Sequence, residues 1–278
     1  MMARGDKELK CLGREVEQLK HALESKHWNA SSLVMEALNC IVECANKFSA
    51  DLDLECKLDE MIVDAFNMID EPDREKFVLL LPDLVFFMRD PRNIYPSIER
   101  YFVPGCLFCF DIAELVFVMK KEFGFEFDEF FKNLLFCMNP VTIGHRIEKR
   151  LMLLMMVLED KSSTLTTVKA VIKKLCSISL LVGSADCHKI LWTVLWIMRL
   201  HPMAYSMARA ESFVKELEWT SRITFDEFQP YLFELDILSE SVKGIRNVIR
   251  QIKDEACDVK KRPRLITFTN FMFPELEI

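Results

Sequence analysis

The sequence predicts an all-α fold, an irregular HEAT-like α-solenoid of antiparallel helix pairs with an extended C-terminal tail. Three observations favour this fold. Apolar residues recur three and four positions apart along most of the chain, which is the spacing of one helix face. The linkers between these stretches are short, so that consecutive helices pack antiparallel, and the pairs show no fixed repeat length. With 7 glycines in 278 residues, the chain also has neither glycine-rich phosphate-binding motif of the nucleotide-binding α/β folds.

The first 72 residues are predicted to form an acidic helical arm. Its first helix carries apolar residues three and four apart between Leu9 and Leu23, a pattern typical of coiled coils. Further apolar stripes follow, and the last of them ends at Ile69. Pro72 comes shortly afterwards and is predicted to stop the helix, because proline disfavours helical backbone in the residue before it.

Residues 73–256 are predicted to form a helical-repeat domain. Asp73 is placed to cap its first helix. Shorter helices follow as far as Pro140, and then come three long, strongly apolar helices at about 143–159, 164–182 and 185–201. The remaining residues, 257–278, are predicted to be a basic linker and an extended tail, because the sequence after Arg264 shows no helical face.

The stretch ILWTVLWIM, residues 190–198, is apolar almost all the way round a helix. It is less than half as long as the roughly 20 residues that span a bilayer. We therefore expect this helix to be buried by neighbours on both sides. No secretory signal pattern is found at the N-terminus, so we expect a soluble intracellular protein, in which the 10 cysteines are reduced and mostly part of the core.

Charge is unevenly distributed along the chain, which has a net charge of −7. Residues 1–140 contain 16 basic and 26 acidic side chains, whereas residues 141–209 contain 10 basic and 4 acidic ones. An acidic front and a basic middle suit a protein placed between unlike partners. Ordinary solvated helix faces explain the same counts, and this alternative stays open.

No histidine or cysteine lies in a pattern typical of catalysis or metal binding. His201 ends a predicted helix and is expected to act as a C-terminal cap. Cys187 and His188 are adjacent, so on a helix they point about 100° apart and cannot form a nucleophile–base pair by themselves. The CxxC from Cys106 to Cys109 lacks the second ligand pair of a zinc site. We expect no catalytic residue, no metal and no cofactor.

Two groups of basic residues are candidates for binding. The candidates for RNA contact lie on consecutive predicted helices and would follow an RNA backbone if they share one side. They are Arg146, Lys149, Arg150, Lys169, Lys173, Lys174 and Lys189, with Lys161 among them. The second group is KKRPR, a candidate for nuclear import or for phosphate contacts, with a plain basic loop as the alternative. Its basic residues are Lys260, Lys261, Arg262 and Arg264.

Three stretches of the chain resemble the CCAAT-binding-factor/nucleolar-complex family. They are FEFDEFFKNLLFCMNPVTIGHRIEKRLMLLMMVLED (125–160), VKAVIKKLCSISLLVGSADCHKILWTVLWIMRLHP (168–202) and YLFELDILSESVKGIRNVI (231–249). The matching positions are His145, Arg199, His201, Pro202, Phe233, Glu234, Leu235 and Leu238. Phe233 stands where the family usually has tryptophan, and the His-Tyr-His-Pro element expected after that helix is missing. Much of the long N-terminal region typical of the family is also missing, so we expect a shortened member.

The resemblance implies a non-catalytic scaffold in ribosome biogenesis. It implies action in small-subunit processome assembly and small ribosomal subunit maturation, in the nucleolus and nucleus. The implied partners are a nucleolar-protein-fourteen-like protein, which forms a heterodimer with the chain, and the pre-ribosomal particle with its small-subunit precursor RNA. No membrane and no small-molecule substrate is expected. The expected partner-binding residues are Phe233, Glu234, Leu235 and Leu238.

Two other functions stay open. One is a generic HEAT-like adaptor in intracellular transport or signalling, for which the family resemblance would be a chance similarity of amphipathic helices. The other is a helical enzyme such as a metal-dependent hydrolase, for which the sequence offers no paired acid and histidine motifs.

Overall fold

The computed structural model describes residues 58–88, 90–127, 129–160, 163–209, 231–241 and 243–258, together with positions 14, 18–21, 23, 34–40 and 42. The chain forms two compact units, Met1–Cys137 and Met138–Ile278. Helix is the regular structure of both, and no strand occurs among the described residues, so the all-α prediction is confirmed. The predicted extended tail and the KKRPR segment lie outside the described residues, as does most of the first predicted helix.

The first unit is a set of helices around an aromatic core. From residue 58 onward, its α-helices are α1 (Leu58–Met68), α2 (Glu71–Leu84), α3 (Tyr95–Ile98), α4 (Cys109–Phe123) and α5 (Phe130–Cys137). Short 3₁₀ turns flank α3. Phe66, Phe77 and Phe110 are fully buried, and the rings of Phe66 and Phe77 lie 5.4 Å apart at their centroids. Aromatic burial therefore supplies much of the core of this unit.

The helix at the predicted boundary between the arm and the helical-repeat domain begins earlier than predicted. Asp70, with extended backbone, precedes α2, and Pro72 lies in its first turn. Asp73 is therefore inside the helix, and the prediction that it caps the helix is wrong. Proline suits the first turn of a helix because its missing N–H would have no intrahelical acceptor there. Pro72 thus lies in the first turn of a helix that contacts α1, and both helices belong to the first unit.

The second unit contains the long apolar helices. Its α-helices are α6 (Pro140–Gly144), α7 (Ile147–Glu159), α8 (Leu165–Ser179), α9 (Ser184–Leu200), α10 (Phe233–Ser241) and α11 (Arg246–Cys257), with 3₁₀ helices at Pro202–Ala208 and Lys243–Ile245. The three predicted long helices are confirmed, except that the first begins later. Arg146 has left-handed backbone, φ 57°, and this separates α6 from α7.

The central helix of the second unit is α9. Ile190, Val194, Ile197 and Met198 are buried, and α9 contacts α7, α8 and α11. The prediction of burial on both sides is therefore confirmed. The links from α7 to α8 and from α8 to α9 are short, so that these helices run back on each other as in a helical solenoid.

Two further features concern the apolar residues of the chain. In the part of the chain that the structure describes, no helix is both long enough and apolar enough to cross a membrane. Cys109, Cys137, Cys176 and Cys187 are buried, which agrees with the prediction that most cysteines belong to the core. Burial raises the pKa of the Cys187 thiol, an effect partly opposed by a hydrogen bond with Ser179, and thus favours its neutral form.

Candidate protein-interaction surface

The helix that carries the predicted partner-binding residues, α10, has an inner and an outer face. Leu235 and Leu238 are buried on the inner face. Phe233 is 50% exposed and Ile237 is 46% exposed. Because these two residues are four positions apart, they lie on one side of the helix. We call them the apolar ridge.

Of the four predicted partner-binding residues, the structure exposes only Phe233, whose binding role stays a prediction. Glu234, Leu235 and Leu238 are all buried inside the unit, so that no partner reaches them while α10 is docked. Ile237, which the resemblance did not indicate, is the second exposed apolar residue of α10. Five apolar residues within seven positions made the inner and outer faces hard to distinguish from sequence.

Glu234 holds α10 against α8. Lys173 Nζ lies 2.8 Å from Glu234 Oε1 and 2.9 Å from Oε2, and Ser177 Oγ donates to Oε1 at 2.8 Å. Lys173 also donates to the carbonyl oxygen of Tyr231 at 2.9 Å. A buried carboxylate needs such partners, because its desolvation is otherwise costly. We call Glu234, Lys173, Ser177 and the Tyr231 carbonyl the Glu234 cluster.

Lys173 also connects this buried cluster to the apolar ridge. Its Nζ lies 4.1 Å from the centroid of the Phe233 ring, within the range of a cation–π interaction. The Lys173 side chain is 22% exposed, so the ammonium group keeps some contact with water. The cluster thus fixes the position of the Phe233 ring at the surface.

The opposite side of α10 is held by Asp236. Lys253 of α11 lies 2.5 Å from Asp236 Oδ1, and the Tyr231 hydroxyl donates to Oδ2 at 2.6 Å. Partial burial raises the pKa of Asp236, but the bonds from Lys253 and Tyr231 outweigh it and leave the pKa below its ordinary value. The hydrogen bond between the Tyr231 hydroxyl and Asp236, together with burial, raises the pKa of Tyr231 to about 12.

The C-terminal end of α10 is capped by Arg246. Its Nε donates to the carbonyl of Ser239 at 2.8 Å, and a terminal nitrogen donates to that of Glu240 at 3.2 Å. A cation at this end satisfies carbonyls that have no helical partner and complements the helix dipole. Both ends and both sides of α10 are therefore held in place.

A second buried carboxylate, Glu255, connects α9 with α11. Arg199 forms two bonds with it, Nε to Oε2 at 3.0 Å and a terminal nitrogen to Oε1 at 2.6 Å. The Tyr205 hydroxyl donates to Oε2 at 2.6 Å, and Gln251 donates to Oε1 at 3.1 Å. Burial raises the pKa of Glu255, but the bonds from Arg199 and Tyr205 outweigh it, and the pKa is lowered. We call these four residues the Glu255 cluster.

The two histidines that match the family pattern take part in different hydrogen bonds, His201 through its ring and His145 through its backbone carbonyl. His201 Nε2 lies 2.8 Å from the carbonyl oxygen of Leu158, in the last turn of α7. His201 is the C-cap residue of α9, as expected, and its backbone N–H donates to the carbonyl of Ile197 at 2.9 Å, while its ring contacts the end of the neighbouring helix. The backbone carbonyl of His145 accepts a hydrogen bond from Arg150 Nε at 3.3 Å.

The predicted RNA-contact residues do not form one open stripe. Arg150 is 1% exposed, so its predicted contact with RNA is wrong. Lys173 is bound to Glu234, and Lys189 forms an ion pair with Glu148 of α7. That contact lowers the pKa of Glu148. The role of the remaining candidates stays a prediction. Lys174 is exposed, Lys169 and Lys149 are half-buried, Arg146 is exposed, and Lys161 lies outside the described residues.

The other residues considered for catalysis or metal binding also make structural contacts. Trp192 Nε1 donates to His188 Nε2 at 3.0 Å, one helical turn away, and Cys187 points into the core. Across the described ranges, no three His, Cys, Asp or Glu side chains come together in a way that could hold a metal ion.

Comparisons with protein families and with curated proteins identified no relative of this chain. No protein-family model matches the sequence, and no curated protein matches it either.

Proposed function

We propose that this protein is a non-catalytic helical scaffold in ribosome biogenesis, which acts in small-subunit processome assembly and small ribosomal subunit maturation. The observation that carries the proposal is the apolar ridge. The family resemblance points to α10 as a partner-binding helix, and this helix is held on both sides while Phe233 and Ile237 stay exposed. Large apolar side chains exposed on a rigid element are typical of protein-interaction sites.

The family-like positions of the second unit support the proposal because they make contacts between helices. Arg199 joins α9 to Glu255 of α11, His201 contacts the end of α7, and Glu234 joins α10 to α8. We therefore expect a chain that shares these positions with the family to share its arrangement of helices. Chance similarity of amphipathic helices would favour apolar positions and would not favour these polar ones.

The partner in this proposal is a nucleolar-protein-fourteen-like protein, which forms a heterodimer with the chain and docks on the apolar ridge. The chain then acts in the nucleolus and nucleus as part of the pre-ribosomal particle. Contact with small-subunit precursor RNA is made directly or through the partner. Lys174 and Arg146 are the candidates for a direct contact with RNA. Both side chains are exposed and can reach a phosphate group, whereas Arg150 is buried.

The first test is affinity purification of the tagged full-length chain from its own cells, with identification of the bound proteins and RNAs. The proposal expects a nucleolar-protein-fourteen-like partner together with small-subunit precursor RNA. Recovery of transport or signalling proteins without pre-ribosomal RNA would instead support a generic helical adaptor and contradict the ribosomal role.

The site is tested by the same purification with the double variant Phe233→Asp, Ile237→Asp. We expect recovery of the partner to fall at least about tenfold, because charges replace the buried centre of the interface. The matched control is Met203→Asp, at an apolar residue that is 72% exposed elsewhere in the same unit. Equal recovery with both variants would show that the ridge is not the docking site.

A further inference from the structure

The surroundings of the apolar ridge indicate what kind of partner segment docks on it. A helix turns about 100° per residue, so Glu234 and Asp236 lie about 80° on either side of the line through Phe233 and Ile237. Lys173 of α8 binds Glu234, and Lys253 of α11 binds Asp236. The two lysines therefore lie on opposite flanks of the ridge.

Each flank continues as a row of cations. On α8, Lys169 lies one helical turn from Lys173, on the same side of that helix. On α11, Arg246, Arg250 and Lys253 are spaced four and three residues apart, which also places them on one side. Arg246 and Lys253 both contact α10, so their row runs beside that helix.

The charge along the ridge has a positive excess. The two rows contain five cations, and the carboxylates beside them are Glu234, Asp236 and Glu240 of α10 and Asp254 of α11, which lies one helical turn from Arg250. Glu234 and Asp236 are already bound by Lys173 and Lys253. Five cations against four carboxylates leave one excess positive charge around the ridge. Lys169 and Arg250 form no ion pair with any residue that the structure describes, so each can bind a carboxylate of an incoming segment.

We propose that the apolar ridge and its two cationic rows bind an acidic amphipathic helix of the protein partner. Its apolar seam packs along Phe233 and Ile237, and acidic residues beside the seam face Lys169 on one flank and Arg250 on the other. The arrangement follows the logic of paired helices, in which an apolar seam is flanked by opposite charges that select the partner. The inference rests on the proposed scaffold function, since the occupant is the protein partner of that scaffold.

The test uses the full-length chain with a photo-crosslinking amino acid in place of Phe233, expressed in its own cells. The matched control has the same amino acid in place of Met203. After irradiation, the cross-linked peptides are identified by mass spectrometry. We expect the Phe233 probe to capture a protein segment that has more acidic than basic residues and apolar residues three and four apart, and we expect the Met203 probe not to capture it.

Several results would overturn the inference. They are capture of RNA at the Phe233 probe, capture of a basic or uncharged segment, and capture of the same segment by both probes. If native purification still recovers pre-ribosomal RNA in such a case, the scaffold function stands and the acidic helix is wrong. If the probe captures an acidic helix from a protein outside the pre-ribosomal particle, the docking inference stands and the ribosomal role is wrong.

The captured segment, made as a synthetic peptide, gives the contribution of the cationic rows. We expect the double variant Lys169→Glu, Arg250→Glu to weaken its binding at least about tenfold at low salt and to reduce the salt dependence of the affinity. Lys121→Glu is the matched control, because Lys121 is an exposed lysine on α4, in the other unit. Equal affinities of the double variant and the control would overturn the assignment of the rows.

Discussion

The Glu234 and Glu255 clusters both stabilise a buried carboxylate, but they use different cations, Lys173 and Arg199. In each, a buried carboxylate of one helix is bound by a cation of another helix and by a hydroxyl group. Arg199 binds Glu255 through two nitrogens and is 11% exposed, whereas Lys173 binds Glu234, is 22% exposed and also contacts the surface ring of Phe233.

The difference separates a structural contact from one that also supports a binding surface. A planar guanidinium that forms a bidentate pair is fixed in orientation and leaves little for another group to use. The ammonium of Lys173 has three donors and keeps access to solvent, so it can bind Glu234 and still shape the ridge. The α9–α11 contact therefore maintains the fold, and the α8–α10 contact also positions the surface that we propose as a binding site.

The largest effect is expected from Glu255→Ala. The variant leaves the Arg199 guanidinium mostly buried without its carboxylate and removes the acceptor of Tyr205. The free energy of unfolding should fall by about 3–5 kcal/mol, the usual cost of breaking a buried pair from one side. Chemical denaturation checks this value, with Glu60→Ala at an exposed position of α1 as the control. A loss below about 1 kcal/mol would mean that the cluster does not hold α9 to α11.

A smaller effect is expected from Glu234→Ala. Lys173 can move into water after the change, so the penalty is that of lost hydrogen bonds, about 1–3 kcal/mol in the free energy of unfolding. Partner recovery should fall as well, because α10 loses its contact with α8. A loss as large as that of Glu255→Ala, measured in the same denaturant series, would remove the distinction between the two clusters.

The pH dependence of stability should show the Glu255 cluster as well. The folded pKa of Glu255 is below its ordinary value of 4.5, so the ionised form is favoured in the folded state. Its contribution is therefore present above about pH 4.5 and is lost as the pH falls through the lower folded pKa. Denaturation of the wild type between pH 6 and pH 3, about the range of carboxyl titration, should show a steeper loss than that of Glu255→Gln. Parallel curves would contradict this assignment.

The smallest effect on stability is expected from Phe233→Ala. The ring of Phe233 is half exposed and covers little of the core. The free energy of unfolding should therefore fall by no more than about 1 kcal/mol. Part of this loss comes from the cation–π contact with Lys173. Partner binding should nevertheless fall clearly. Thermal unfolding and co-purification, measured on the same preparation, separate the two effects, and a variant that loses stability but keeps its partner would place Phe233 in the core instead of the interface.

The long helices of the second unit were predictable because each repeats one apolar spacing over four or five turns. The separation of α6 from α7 was not, since it depends on the left-handed backbone of a single arginine, Arg146. The start of α2 was predicted wrongly because a proline such as Pro72 fits either the end of one helix or the first turn of the next. Of the candidate site, the sequence pointed to α10 and identified one of the two exposed apolar residues of that helix.

The sequence by itself determined that the protein is all-α, which stretches form its long helices, and that the helix around Trp196 is buried. These properties depend on local periodicity, which every turn of a helix repeats. Only the tertiary structure decided which charged residues are buried and which face of α10 is open. Glu234, for example, is held in the interior by Lys173 and Ser177, which lie 61 and 57 residues away in sequence. The spacing of residues along one helix carries no information about those neighbours.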